Sequence, residues 1–367
     1  MKKIQHKKLS PEPSNRTLFI GTLVALGIFV VFIVPHVFAT TYTKGGVATT
    51  TVEKAEKGIF AAPEPKLDTV AYDKKVLLNA NLGTTTGTST ASTTRKWPVK
   101  TVYPKVGALL PFNRIIAYYG NFYSTKMGVL GEYEPSIMKQ KLLAEKAKWE
   151  AADPSTPVIP AIDYIVITAQ GSPGADGKYR FRMPASEIDK AVKLADEVHG
   201  IVILDVQVGL SNLQTELPLL EPYLKKPNVH LAIDPEFSMK GGEKPGTVIG
   251  TFSSSDVNYA AQMLAKIVQD NNLPPKVLII HRFTQNMVTG TANIKPLPEV
   301  QIVMDMDGWG SPAKKINTYQ QFIYKEPVQF TGFKLFYKND LKPPSTRMLT
   351  PAELLKLSPQ PLFIQFQ

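Results

Sequence analysis

From Lys105 onward the chain alternates short apolar runs with amphipathic stretches. Residues 114–119 (RIIAYY), 161–168 (AIDYIVIT), 201–205 (IVILD), 230–234 (HLAID), 276–281 (KVLIIH), 300–305 (VQIVMD), 332–337 (GFKLFY) and 362–366 (LFIQF) are apolar nearly throughout. Such runs are expected of strands buried on both faces of a parallel sheet. Between them the spacing is helical. Ser136–Ala151 follows Pro135, which suits a first helical turn, and Ile188, Ala191, Val192, Ala195 and Val198 form one stripe. Val257, Ala260, Ala261, Leu264, Ile267 and Val268 form another, with Ser254 or Ser255 as the expected cap. Residues 213–224, 311–322 and 351–357 read as further helical segments.

Eight buried strands alternating with helices over residues 105–367 predict an α/β fold, a (β/α)8 TIM-type barrel. A doubly wound open sheet is the alternative. It would want a glycine-rich phosphate loop after the first strand, and the turn there is Gly120-Asn121-Phe122-Tyr123. No helical stretch follows the eighth run, so a segment preceding the barrel is expected to cover that gap.

The first 104 residues have another texture. Leu18–Phe38 is 21 residues without Asp, Glu, Lys or Arg, long enough for a single transmembrane helix. Lys2, Lys3, Lys7, Lys8 and Arg16 precede it, so residues 1–17 are expected to be a basic cytoplasmic tail and the remainder to lie outside the cell membrane. A cleaved signal peptide ending at Val37-Phe38-Ala39 is the competing reading, and it also exports the domain. Residues 39–104 read as a Thr/Ser-rich stalk or linker. The run TTTGTSTASTT at 84–94 cannot bury enough surface to offset its ordering entropy, and Val76-Leu77-Leu78 is the one nearby cluster expected to dock.

Charge and composition narrow the function. The formal net charge is +11. Residues 1–100 hold 14 Lys+Arg against 6 Asp+Glu, leaving 28 against 25 for the rest, so the folded domain lacks the basic excess of a nucleic-acid binder. With no Cys, disulfides, thiolate catalysis and a lipidated N-terminal cysteine are excluded. Of five His, only His281 is expected at the mouth, too few for a His-rich metal centre; no metal or cofactor is expected, although carboxylate-only Mg2+ or Ca2+ binding stays open. No G-x-S-x-G elbow is present.

In a barrel, chemistry sits where the strand C-termini open into loops. Asp163, Asp205, Gln207, Asp234, Glu236, His281, Asp305, Asp307, Trp309 and Tyr337 fall at those ends. Converging carboxylates with aromatic neighbours suit glycoside hydrolysis, which pairs a protonated acid with an ionised carboxylate. Glu236, on the Pro-led loop Asp234-Pro235-Glu236-Phe237, is the expected acid, with Asp205 or Asp234 as its partner. Asp163, Gln207, His281, Asp305, Asp307, Trp309 and Tyr337 are expected to hold the sugar. The long loops 169–185, with Tyr179, Arg180 and Arg182, and 235–253 are expected to frame the site.

The stretches IPAIDYIVITAQGSPGADGKYR, IVILDVQVGLSNLQTELPLLEPYLKKPNVHLAIDPEFSM, PGTVIG, VLIIHRFTQNMV and VMDMDGWGSPAKK resemble a group of uncharacterised bacterial cell-envelope proteins, many of them described as lipoproteins. The resemblance spans roughly residues 111–367. It implies a TIM-barrel, glycoside-hydrolase-like domain outside the membrane and no particular reaction. Two functions follow as expectations: an envelope glycoside hydrolase acting on cell-wall or surface polysaccharide, or a non-catalytic carbohydrate-binding or structural protein on the same barrel.

Overall fold

The computed structural model describes residues 66–82 and 96–367. The apolar run at 18–38 and the Thr/Ser run at 84–94 lie outside them, and among the described residues no helix is long and apolar enough to cross a membrane.

The eight expected strands all form. They are β1 (Arg114–Gly120), β2 (Val158–Ala169), β3 (Ile201–Val206), β4 (Val229–Ile233), β5 (Lys276–Arg282), β6 (Val300–Met306), β7 (Phe330–Leu335) and β8 (Phe363–Phe366). Each pairs in parallel with the next, and β8 returns to β1, so the sheet closes. A closed ring excludes the open-sheet alternative: this is a (β/α)8 barrel.

The strands are apolar on both faces because both faces are buried. Outward residues such as Ile162, Leu204, Ile280 and Ile302 pack beneath the helices, while Ile115, Ala117, Ala161, Ile203, Ile279, Val303 and Phe363 fill the interior. Helix α1 is Thr69–Ala80, α2 is Pro135–Ala152, α3 is Ala185–Glu197, α4 is Ser254–Asp270 and α5 is Pro312–Thr318. Every residue of the stripe expected on α4 is buried, and its cap is Ser253, which forms a capping box with Asp256. Helix α5 runs on into one wide π turn over Tyr319–Tyr324.

Helix α1 departs from the reading of residues 39–104 as tether throughout. Asp68 caps it, and Tyr72 is buried with Leu110, Ile115, Phe330 and Leu362 at the starts of the strands. Asn81 Nδ2 donates to the carbonyls of Leu355 (3.2 Å) and Leu357 (2.8 Å), and the amide of Gln360 donates to the carbonyl of Asn79 (2.8 Å). Thus α1 plugs the barrel's N-terminal end rather than its wall. Of the cluster expected to dock, Val76 packs inward while Leu77 and Leu78 stay exposed. Trp97, also in the expected stalk, is buried, with Nε1 donating to the carbonyl of Tyr324 (3.0 Å).

Candidate active site at the C-terminal mouth

Strand alternation sends every second side chain inward. Near the C-terminal ends, the inward residue of each of the eight strands is polar: Tyr119, Asp163, Asp205, Asp234 (one residue past β4), His281, Asp305, Lys334 and Gln365. Register sets several side by side: Tyr119 opposite Asp163, His281 opposite Asp305, Lys334 opposite Gln365. Gly332, lateral to Asp305, makes room for this layer, because a Cβ there would stand 2.5 Å from Asp305 Oδ1.

Five buried carboxylates share this space with two basic groups, so they cannot all be charged. His281 Nε2 donates to Asp205 Oδ2 at 2.9 Å. Its Nδ1 stands 3.3 Å from both Asp305 Oδ2 and Asp307 Oδ2, close enough for attraction but misaligned for a hydrogen bond. Burial alone would strip the imidazole's proton, yet the facing acids, Asp205 foremost, hold its pKa well above the ordinary value. Lys334 is likewise opposed by burial, and Asp307, Asp234, Asp305 and Asp205 together keep it charged. Its Nζ lies 3.1 Å from Asp307 Oδ1 and 3.8 Å from the centre of the Tyr119 ring. Asp307 is pushed up by burial and, more strongly in sum, down by Lys334 and His281, so it stays ionised. Desolvation raises Asp163, Asp234 and Asp305, each reinforced by a neighbouring acid.

Above this layer opens a pocket of about 580 Å3. Of the residues expected at the site, Gln207, Asp234, Glu236, Asp307 and Trp309 line it. Asp163, Asp205, His281 and Asp305 lie beneath, fully buried. Asp205 is therefore badly placed to act on a ligand; its carboxylate serves the imidazole. Asp234 faces the pocket but is engaged, with Oδ1 accepting the amide of Glu236 (2.9 Å) and Oδ2 accepting Gln207 Nε2 (3.4 Å).

Glu236 differs from all of these. It sits on a single 3-10 turn, Pro235–Phe237, fixed on one side by Asp234 and on the other by the amide of Gly250, which donates to the Glu236 carbonyl at 2.7 Å. Its carboxylate is half-buried and has no hydrogen-bond or ion-pair partner among the described residues. Burial first, then the charge on Asp307, pushes its pKa up to about 7, with Lys334 and His281 opposing.

Other expectations fail for identifiable reasons. Tyr337 has the wrong strand parity: Lys334 and Phe336 point to the pocket, while the Tyr337 hydroxyl meets Tyr118 (3.0 Å) and Glu145 of α2 (3.2 Å) on the outer wall. Arg180 and Arg182 in the 169–185 loop are spent on Glu216, at 2.9 and 2.7 Å, and fasten that loop to the one after β3. Several pocket residues went unsignalled as site residues, Tyr119 and Lys334 foremost among them. Tyr119 continues the inward series of Ile115 and Ala117, and Lys334 is a lone cation inside an apolar run, which is itself a signal of function or of a buried partner.

No family model matches the chain, and no curated protein does. Among solved structures it is similar to a GH5-4 broad specificity endoglucanase from an uncultured bovine rumen ciliate, at 12% identity over 56% of this chain and 72% of that one, with a TM-score of 0.30. It is also similar to a GH18 chitinase from Pseudoalteromonas aurantia, at 13% identity over 63% of this chain and 69% of that one, with a TM-score of 0.24.

Proposed function

We propose that the domain is a glycoside-hydrolase-like, carbohydrate-active barrel held outside the cell membrane by an N-terminal anchor, acting on cell-wall or surface polysaccharide. One observation carries the reading. The pocket presents an unpartnered glutamic acid, Glu236, whose pKa is raised to about 7, together with an aspartate, Asp307, held ionised by Lys334. Carboxyls driven apart in this way are what acid-assisted glycoside cleavage needs. Glu236 would protonate the departing glycosidic oxygen. Asp307 takes the part first expected of Asp205 or Asp234, stabilising positive charge on the sugar or activating water. Trp309, 47% exposed at the lip, offers a ring face to a pyranose. Because α1 enters at the opposite end, a tether would leave the pocket clear.

A second reading, carbohydrate binding without turnover, is favoured by the pairing of Asp307 with Lys334 and of Asp234 with Gln207 and the Glu236 amide. The full chain, assayed for hydrolysis and binding against wall and surface polysaccharides, separates the two. Loss of turnover with retained binding in Glu236→Gln and Asp307→Asn supports catalysis. Binding without turnover in the parent chain supports the second reading, and binding of no saccharide removes both.

A further inference from the structure

The sequence makes the mouth look acidic, yet its lip is cationic. Within the floor, Asp307 is paired with Lys334 and Asp205 with His281, while burial raises the pKa of Asp163 and Asp234, which accept hydrogen bonds from Gln365 and Gln207. The lip carries Lys126 and Lys314, both exposed and both lining the pocket. A third cation, Lys342, stands over the Trp309 ring at 5.2 Å from its centre, and Lys314 stands there at 4.9 Å. Two other lysines near the strand ends are neutralised: Lys338 pairs with Glu132 at 2.7 Å, and Lys240 pairs with Asp256. Among the described residues, Lys126, Lys314 and Lys342 pair with no carboxylate. Two of these cations rest on an aromatic face, which orients an ammonium group without neutralising it.

We infer that the pocket takes a carboxylated glycan of the uronate class, with Trp309 stacking a pyranose and Lys314 and Lys126 receiving the carboxylates of adjacent residues. This rests on the saccharide reading given above and specifies the ligand of that site. A pyranose placed against the exposed part of the Trp309 side chain would bring its C5 carboxylate toward Lys314 and Lys342, whose ammonium groups stand over the same ring. A neutral sugar would leave those charges unanswered, and a strongly basic polymer would be repelled. For Lys314 the geometry is also economical in conformational entropy, because its ammonium is already held by the indole rather than recruited from solution.

The test uses the full chain and two matched probe series: galacturonate, glucuronate and mannuronate hexamers, and the methyl esters of the same hexamers. The esters keep the sugar skeleton and lose the charge. Binding is measured calorimetrically at low and high salt, with the parent chain and with the Lys126→Gln/Lys314→Gln double variant. At least one uronate should bind roughly tenfold more tightly than its ester, a gap that the double variant should close and salt should narrow, as expected for exposed charge pairs. Both lysines are exposed, so the double variant should melt with the parent. Equal affinity for acid and ester, or uronate binding indifferent to the double variant, overturns the inference. Neutral saccharides that bind in a Glu236-dependent way, with uronates excluded, would sink this inference and leave the saccharide reading standing. Binding of no saccharide from either series removes both.

Discussion

Lys334 is the cation on which the charge pattern of the mouth turns, and Lys334→Met tests that pattern directly. Methionine is an unbranched apolar replacement that removes the ammonium, and with it the contacts to Asp307 and to the Tyr119 and Phe336 rings. Lys334 is 2% exposed and lies 3.1 Å from Asp307, which is itself 7% exposed. Removing one partner of a buried pair strands the other charge, at a cost of about 3–5 kcal/mol. For a domain of this size that corresponds to a fall in Tm of roughly 6–20 °C. The loss should depend on pH. In the parent, Asp307 has a depressed pKa, so its stabilising contribution is complete above the unfolded carboxylate pKa and is lost only as pH falls below it. In the variant the same carboxyl lacks its cation, its pKa should rise, and it should take up a proton as pH falls from 7 toward 4. The deficit should therefore shrink over that interval. Urea denaturation of both chains at pH 7 and pH 4.5 measures it. A double variant, Lys334→Met/Asp307→Asn, should recover part of the loss, because the stranded charge has gone. A deficit below about 1 kcal/mol, a deficit equal at both pH values, or strict additivity in the double variant would refute the reasoning.

Three further outcomes are expected. Gly332→Ala forces a Cβ to within 2.5 Å of Asp305 Oδ1 and 2.9 Å of the Phe363 ring; it should destabilise by about 1–3 kcal/mol in a urea titration, and a neutral result would mean the layer is looser than its register implies. Glu236 has a folded pKa raised to about 7, so the native state binds an extra proton between the ordinary carboxylate pKa and 7, and stability should fall as pH rises through that window; Glu236→Gln should flatten this slope, and an unchanged slope assigns it to other groups. Tyr337→Phe removes the contacts to Tyr118 and Glu145 on the outer wall; saccharide affinity should stay within about twofold while stability drops by about 0.5–1.5 kcal/mol, and a large loss of affinity would return Tyr337 to the site.

The sequence by itself determined the eight strands, the stripes of α3 and α4, and the acidic character of the strand ends. Each is a local signal: an apolar run buried on both faces, a 3.6-residue period, a polar residue where the run stops. It also placed Glu236 on a rigid turn, since Pro235 and the Asp234 cap are consecutive in the chain. Helix α1 escaped notice because its exposed Lys74, Leu77 and Leu78 interleave with the few residues it buries, and its docking surface exists only once the strand starts are gathered into a ring. Parity relative to that ring decided that Tyr337 faces outward and Tyr119 and Lys334 inward. Closure decided the electrostatics. Asp205 and Asp305 are separated from His281 by 76 and 24 residues, and Asp307 from Lys334 by 27. Only tertiary structure brings such groups within 3–4 Å, excludes water from between them, and so settles which carboxyls hold a charge and which hold a proton.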